Sequence, residues 1–466
     1  MRNLYAESLS HDPLHGYIAF TSPAGVLPGE ISEQEIIDHP WLQRLRQIHQ
    51  LQTAWWVFPS AEHTRFQHVL GAMHLASRAV AALYESLHAV CPDVPSRGYV
   101  ESLMRLAALL HDVGHGPFGH FFDHHFLADF GLTHETLGSA IIERELAPML
   151  RRIRRSPHSA LADNEALEPR QIAVLITRPA THDASPLPQW LRFLRSLFSG
   201  LYTVDNMDFV LRDAYMTGYN TKAFDLDRLL HYSEFTAKGL TIHERGLSAL
   251  VRFISVRAEL FRSIYFHRTV RAIDLALQEL FLDSKQYLFP GNPLEHLAEY
   301  QHLTEWSLLS RVAAWRESDR PELADLGRRW EQFLRRHHRW RMACERTIYF
   351  APGEAERSSV FSHERMFEAA LRENLPAELR NLPLRVDTAR HVHRPGAHAP
   401  AADQNFLYDP ATGRIHSLDD EALFRQIPMS YRICRVYAED NQHNAQLSAA
   451  MDRLAGTGAT DDVTNM

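Results

Sequence analysis

Residues 109–126 read LLHDVGHGPFGHFFDHHF. Five of these residues are histidine: His111, His115, His120, His124 and His125. Histidine is 29 of 466 residues in the chain, so a window this long should hold about one. Asp112 and Asp123 are interleaved with them. The same stretch spells GHGPFG, which fits the dinucleotide pattern GxGxxG. A dinucleotide loop needs a strand before it, a helix after it and an acidic residue about 20 positions on. Glu135 meets the last condition. The segment from Tyr99, however, carries the apolar spacing of a helix, Pro117 interrupts the loop, and no β-α alternation follows. The glycines are better read as letting the chain leave a buried helix and bend closely round a metal or acid–base site.

The rest of the chain bounds that reading. At 466 residues it can bury a large core and holds two or three structural units. Composition is globular, 45% apolar and 23% charged, and the net charge of −8 gives no global pull towards nucleic acid or anionic membrane. Cys91, Cys344 and Cys434 form no CxxC, which suits a reducing cytoplasm and argues against a cysteine-based zinc site. The N-terminal segment MRNLYAESLSHDPLHG has no signal-peptide core, and no apolar run is long enough to span a bilayer. A soluble cytoplasmic protein without membrane contact is expected.

Apolar spacing predicts helices over 30–51, 63–88, 99–115, 133–153, 169–178, 188–199, 203–217, about 246–284, 303–316 and 321–346. Ser32 with Glu35 reads as a capping box, and Thr133 as a cap. Residues 391–405 read as a Pro/Ala/His-rich loop. NFLYDPATGRIHSL and SYRICRVYAED then read as short strands, followed by a helix NAQLSAAMDRL and a polar tail expected to be disordered. The fold class is mainly α: a helical core, 1–285, a helical extension, 286–390, and a small α+β lobe, 391–466.

On a helix, residues i and i+4 share a face, as His111 and His115 do. Asp112 lies beside them, and a cation at the helix end can be reached by both His111 and Asp112. Imidazole and carboxylate together suit a divalent metal: Mn, Fe, Co, Ni or Zn, with Mg also open. The preceding LMRLAALL is apolar and must be buried, so the polar groups that follow it need partners.

HTRFQH (63–68), LLHDVGHGPFGH (109–120) and VDNMDFVLRD (204–213) together resemble the HD-domain phosphohydrolases. DPLHGYI (12–18), DHPWLQRLRQIHQL (38–51), WWVFPSAEHTRFQH (55–68), HGPFGHFFD (115–123) and THE (133–135) follow in the order seen in dNTP triphosphohydrolases. The resemblance covers roughly 8–285 and returns in RICRVYAED. It implies an HD-domain helical core and a divalent metal held by His68, His111, Asp112 and Asp205. It implies hydrolysis of a dNTP to deoxynucleoside and tripolyphosphate, by metal-activated water attacking the α-phosphate. It makes His120 the proton donor with Asp123 as its partner. His115 and His134 become phosphate-contacting or acid–base groups, and Arg65 a phosphate clamp. The His120–Asp123 spacing allows that pair on a helical turn, where the carboxylate is expected to raise the imidazole pKa. His124 and His125 have no role assigned and leave a second metal open.

The same resemblance places Gln50 and Leu51 along the deoxyribose and Asp213 on the sugar side. Arg257, Tyr265, His267 and Arg268 fall on a polyphosphate- and sugar-contacting helix. Asp38, Gln43 and Arg46 match positions holding a regulatory nucleotide between subunits, and Arg228 and Tyr232 fall at further regulatory positions. A homo-oligomer is implied. Three positions depart from the pattern: Ser8 and Asn206 stand where lysine is expected, and Phe209 where tyrosine is. Two other readings stay open. One is an HD phosphohydrolase acting on a monophosphate, cyclic nucleotide or alarmone. The other is a nucleic-acid-binding protein with a weak or vestigial site, using the basic runs RRIRR (151–155) and RRHHRWR (335–341).

Overall fold

The computed structural model describes residues 5–177, 187–337, 339–350, 359–392, 406–427 and 430–455. The polar tail and almost all of the 391–405 stretch lie outside these residues. Packing divides the chain into two compact units. The first comprises Met1–Leu260, Lys285–Val312 and Ala397–Phe424; the second comprises Phe261–Ser284, Ala313–Gly396 and Arg425–Met466. The three-part division expected at 285 and 390 follows chain order, whereas these units interleave segments.

The first unit is mainly helical. Its helices include α1 (Glu33–Ile37), α2 (Pro40–Gln43), α3 (Arg65–Val90), α4 (Arg97–Leu110), α5 (His120–His125) and α6 (His134–Ile141), followed by α7 (Ala147–Leu150), α8 (Pro169–Ile176), α9 (Gln189–Ser199), α10 (Val204–Met216), α11 (Leu226–His231) and α12 (Leu247–Leu260). α3 packs against α4 and α10. Every residue of α4 from Gly98 to Leu110 is buried, so the segment that delivers His111 is fixed at the centre of the unit. Its buried Arg105 is paired with Glu33 at 2.5 Å, as a buried charge requires.

The helix expected over 30–51 is broken into α1, α2 and a 3-10 turn. The capping box of Ser32 and Glu35 starts α1 as expected. Pro40 then forces His39 to extended backbone, ψ 140°, and ends it. Two hairpins lie where no strands are expected: Glu7–Asp12 with Gly16–Thr21, and Ser233–Thr236 with Gly239–His243. Both are short, four to six residues per strand, so alternation has little length in which to show. Phe406–Asp409 joins Gly239–His243 in parallel, and Arg414–Ser417 completes a four-stranded sheet.

The second unit centres on Ser430–Ala438, wholly buried between antiparallel Arg341–Phe350 and Leu384–Val392. Phe367, Leu371, Val386, Val436, Leu447 and Met451 fill a core between this sheet and the helices Glu364–Glu373 and Asn444–Ala455. The helix expected over 321–346 ends at Leu334, because Arg336 turns left-handed at φ +64°. A strand from Arg341 follows. The long helix expected from 246 to 284 is interrupted by a π-helical turn at Phe261–Tyr265 and resumes as Arg268–Leu288.

Candidate active site

α3, α4 and α10 bring together the four residues expected to bind metal. His68 sits one turn into α3, His111 and Asp112 end α4, and Asp205 lies in the first turn of α10. The His68 and His111 Nε2 atoms are 3.2 Å apart. Asp205 Oδ1 is 3.1 Å from the first and 3.6 Å from the second. Asp112 Oδ1 is 3.3 Å from His111 Nε2. Bonds of about 2.0–2.2 Å to one cation put neighbouring donors roughly 3 to 3.5 Å apart. These separations match.

The tautomers match as well. His68 Nδ1 donates to Asp208 Oδ2 at 2.8 Å, and His111 Nδ1 to the Ala108 carbonyl at 2.7 Å. Each Nε2 lone pair is thereby turned to the shared space. Two lone pairs facing each other at this distance need a proton or a cation between them. Burial opposes charge on His68, yet its bonds to Asp205 and Asp208 outweigh that and raise its pKa to about 10. His111 is raised against burial by Asp112 and Asp205. Asp112 and Asp205 are held below the carboxylate range despite burial, by Arg65 and the histidines respectively. The site holds protons where a dication fits.

Arg65 donates from Nη1 to Asp112 Oδ2 at 2.6 Å, so it also fixes a metal-site carboxylate. Its buried Nε makes no hydrogen bond, which leaves a donor for a phosphate oxygen. Beside it lie His115, His120, Asp123 and His134, whose donor atoms cluster closely. His115 and His134 stack at 3.7 Å. Asp123 is shared: 2.5 Å to His134 Nδ1 and 3.2 Å to His120 Nδ1. The expected pairing of His120 with Asp123 is present, but the expected upward shift is not. Desolvation, His134 and Arg65 lower His120 against Asp123. Since 64% of its side chain is exposed, solvent relieves much of the desolvation, and the cationic neighbours carry the direction. His115 is lowered further, by burial and then by Arg65 and His134. Neutral at rest, an imidazole at the surface end of this cluster can take up a proton from solvent, and its lowered pKa then makes it a strong donor to a leaving oxygen.

The glycines of the opening stretch are close-packing positions. A Cβ at Gly114 would lie 2.1 Å from the His134 carbonyl oxygen, and one at Gly119 (φ +54°) 2.3 Å from Arg65 Nη2. Phe118, buried at φ +61°, is held in that unfavourable conformation by donating its N–H to Glu305 Oε1 at 3.1 Å. Buried Arg44 grips the carbonyls of Val113 and His115, and Tyr300 Oη donates to that of Gly114.

Sequence reasoning missed Asp208, Arg44, Tyr300 and Glu305. Asp208 had a signal, three residues after Asp205 on one helix; the others lie far away in sequence and had none. Asp208 also bonds His15 at 2.7 Å and Arg212 at 2.8 Å.

The remaining expected residues are spread more widely. Gln50 is half-buried, its Oε1 without a hydrogen bond, and its N–H meets the His63 carbonyl. Leu51 is buried. Asp213 is buried and bonded to His63 Nε2 at 2.7 Å. Arg257 donates to the Leu201 carbonyl. Tyr265, His267 and Arg268 belong to the second unit. Asp38 is exposed; Gln43 bonds the Ile37 carbonyl and Arg46 bonds Gln43, contacts local to their own segment. Arg228 bonds the Arg245 carbonyl and lies over Tyr232. Ser8 bonds Gln34. His124 is exposed, and His125 packs on Phe121.

The HD domain family matches residues 65–174. YwfO of Bacillus subtilis, an uncharacterized protein, is 28% identical over 79% of this chain and 77% of its own length. The deoxynucleoside triphosphate triphosphohydrolase SAMHD1 of Gallus gallus is 30% identical over 68% of this chain and 52% of its own. For SAMHD1 of Homo sapiens the figures are 28%, 60% and 45%. The chain thus spans about half the length of these SAMHD1 relatives. A hypothetical protein from Aquifex aeolicus has the same fold, with TM-score 0.67 at 22% identity over 96% of this chain and all of that one. No helix among the described residues is long and apolar enough to cross a membrane. His68, His111 and Asp112 lie within the stretch that the HD domain family matches, and the chain resembles the HD-domain dNTP triphosphohydrolases.

Proposed function

We infer that the protein is a metal-dependent phosphohydrolase and that its substrate is a deoxynucleoside triphosphate, released as deoxynucleoside and tripolyphosphate. The observation that carries the first part is the pair of His68 and His111 Nε2 atoms at 3.2 Å, flanked by two ionised carboxylates. A divalent metal there supplies charge neutralisation at the phosphate and an acidified water. The chain's own groups do the rest. Arg65 holds a phosphate oxygen through its free Nε. His120, at the exposed end of the histidine cluster, carries a proton to the leaving 5′ oxygen while Asp123 and His134 orient it. Gln50, Leu51 and Asp213 are assigned to the sugar and Arg257 to the phosphates. The dNTP assignment draws on the SAMHD1 relatives and on the motif order. A homo-oligomer with a regulatory nucleotide at Asp38, Gln43 and Arg46 belongs to the same proposal.

Asn206 and Phe209 favour a second reading. They offer neither a cation nor a hydroxyl on α10, which suits a nucleotide with fewer phosphates. Product analysis separates the two: each dNTP and NTP, and a monophosphate, cyclic nucleotide and alarmone, incubated with Mn or Mg. Tripolyphosphate from a dNTP supports the first reading. Phosphate or pyrophosphate as the sole product overturns it in favour of the second.

A further inference from the structure

His49 takes no part in the site above, yet it is tied to it. The residue is buried, and a carboxylate oxygen stands against each of its ring nitrogens. Glu305 Oε2 lies 2.6 Å from Nδ1, and Glu62 Oε2 lies 3.2 Å from Nε2. A carboxylate oxygen only accepts, so both nitrogens must carry a proton for both bonds to form. The arrangement is that of an imidazolium. Trp55 stacks on the ring with centroids 4.2 Å apart, and an aromatic face favours a cation. The three neighbours come from three segments. Glu62 lies in the loop before α3, Trp55 in the short turn Ala54–Trp56, and Glu305 at the head of the helix Glu305–Ala314.

Glu305 connects this cation to the histidine cluster. It is 0% exposed, and its Oε1 accepts the N–H groups of both His49 and Phe118, at 3.2 and 3.1 Å. Among the described residues, His49 is its one ion-pair partner. A buried carboxylate that loses its cation is costly and draws in water or a proton. Phe118 stands two residues before His120, and this same carboxylate holds it left-handed.

The two bonds of the ring are unequal. Glu305 is enclosed, whereas the Glu62 side chain is 58% exposed and its bond is the longer. The proton on Nε2 is therefore the one that leaves. Burial opposes charge on His49, but Glu305 and then Glu62 outweigh it and raise its pKa above the ordinary imidazole value. The cation is complete at and below the ordinary value and is lost as pH rises through the raised one. We propose that His49 is a positioning residue: its imidazolium keeps Glu305 on the Phe118 turn, so that the histidine loop is set while the ring is charged and loosened at alkaline pH. The effect on turnover rests on the reading of His120 as proton donor; the clamp itself does not.

The test follows hydrogen exchange of the full chain, on the peptide that contains Phe118, from about pH 6 to 9. Wild type is compared at each pH with His49→Lys, which keeps a cation throughout, and with Glu62→Gln at an exposed position; circular dichroism verifies folding. Protection of Phe118 is expected to match His49→Lys at the acid end and to fall about tenfold below it at the alkaline end. In Glu62→Gln the fall comes at lower pH, because one of the two carboxylates that hold the proton is gone. kcat with Mn, on whichever nucleotide is consumed, is expected to follow the same three curves. Equal protection in wild type and His49→Lys across the range overturns the proposal. So does a fall in Glu62→Gln at the same pH as in wild type, and that comparison decides alone if His49→Lys does not fold. Protection that falls without kcat leaves the clamp standing and overturns the role of His120.

Discussion

Two clusters of histidine and aspartate lie side by side in the first unit, and they have nearly the same composition. His68, His111, Asp112 and Asp205 form one; His115, His120, Asp123 and His134 form the other. Hydrogen bonding makes them different. In the first, Nδ1 of each ring is tied off by Asp208 or the Ala108 carbonyl, and the Nε2 atoms converge. In the second, rings stack and compete for one carboxylate. Charge separates them too. Two carboxylates serve two imidazoles in the first, and His68 and His111 are raised. One serves three in the second, and His115 and His120 are lowered with Arg65 close by. A dication is neutralised in the first and crowded by positive charge in the second. What a histidine does here depends on which ring nitrogen its neighbours claim.

This contrast can be broken by exchanging its terms. Removing Asp205 or His111 with alanine is expected to cut metal retention more than about 100-fold and to abolish turnover, measured by elemental analysis and product assay. Full metal content in either variant would falsify the metal assignment. His120→Ala should lower kcat by about 10²–10⁴-fold with metal content unchanged. Loss of metal in that variant would erase the distinction between the clusters. Asp208→Asn releases His68 Nδ1 and should weaken metal binding by roughly 10- to 100-fold. Unchanged affinity would mean that tautomer control is not what separates the two.

A pH experiment sharpens the same point. Metal-free His68 keeps its proton up to about 10. A metal arriving at neutral pH must displace it, so binding releases a proton and affinity climbs as pH rises towards that value. Titration in buffers of different ionisation enthalpy counts the proton; a count of zero contradicts the raised pKa. The smallest effect concerns the loop between the clusters. Gly119→Ala meets both a positive φ and Arg65, and should cost about 1–3 kcal/mol, read as a lower thermal midpoint.

The helical class and the candidate metal quartet are legible in the chain because both are local. HDVGH lies in one turn after an apolar helix, and two further motifs start helices of their own: HTRFQH at the head of α3, VDNMD at the head of α10. The capping box of Ser32 and Glu35 and the cap at Thr133 were legible for the same reason. The short hairpins were not, since four alternating residues are no signal, and neither was the end of the helix at Leu334, which turns on one left-handed arginine. The upward shift expected for His120 failed because Asp123 was read as its private partner. Only the fold shows that His134 takes the shorter bond.

Glu305, described above as the acceptor that holds Phe118, lies 187 residues downstream of it. Synthesis at about 5–20 residues per second separates the two by roughly ten to forty seconds. During that interval the glycine loop exists without its anchor, and Phe118 is free to relax from its left-handed backbone. Asp205 has by then been made, so all four candidate metal donors precede the clamp on their neighbouring loop. On the ribosome, the nascent chain therefore carries all four candidate donors before it carries the clamp on the histidine loop.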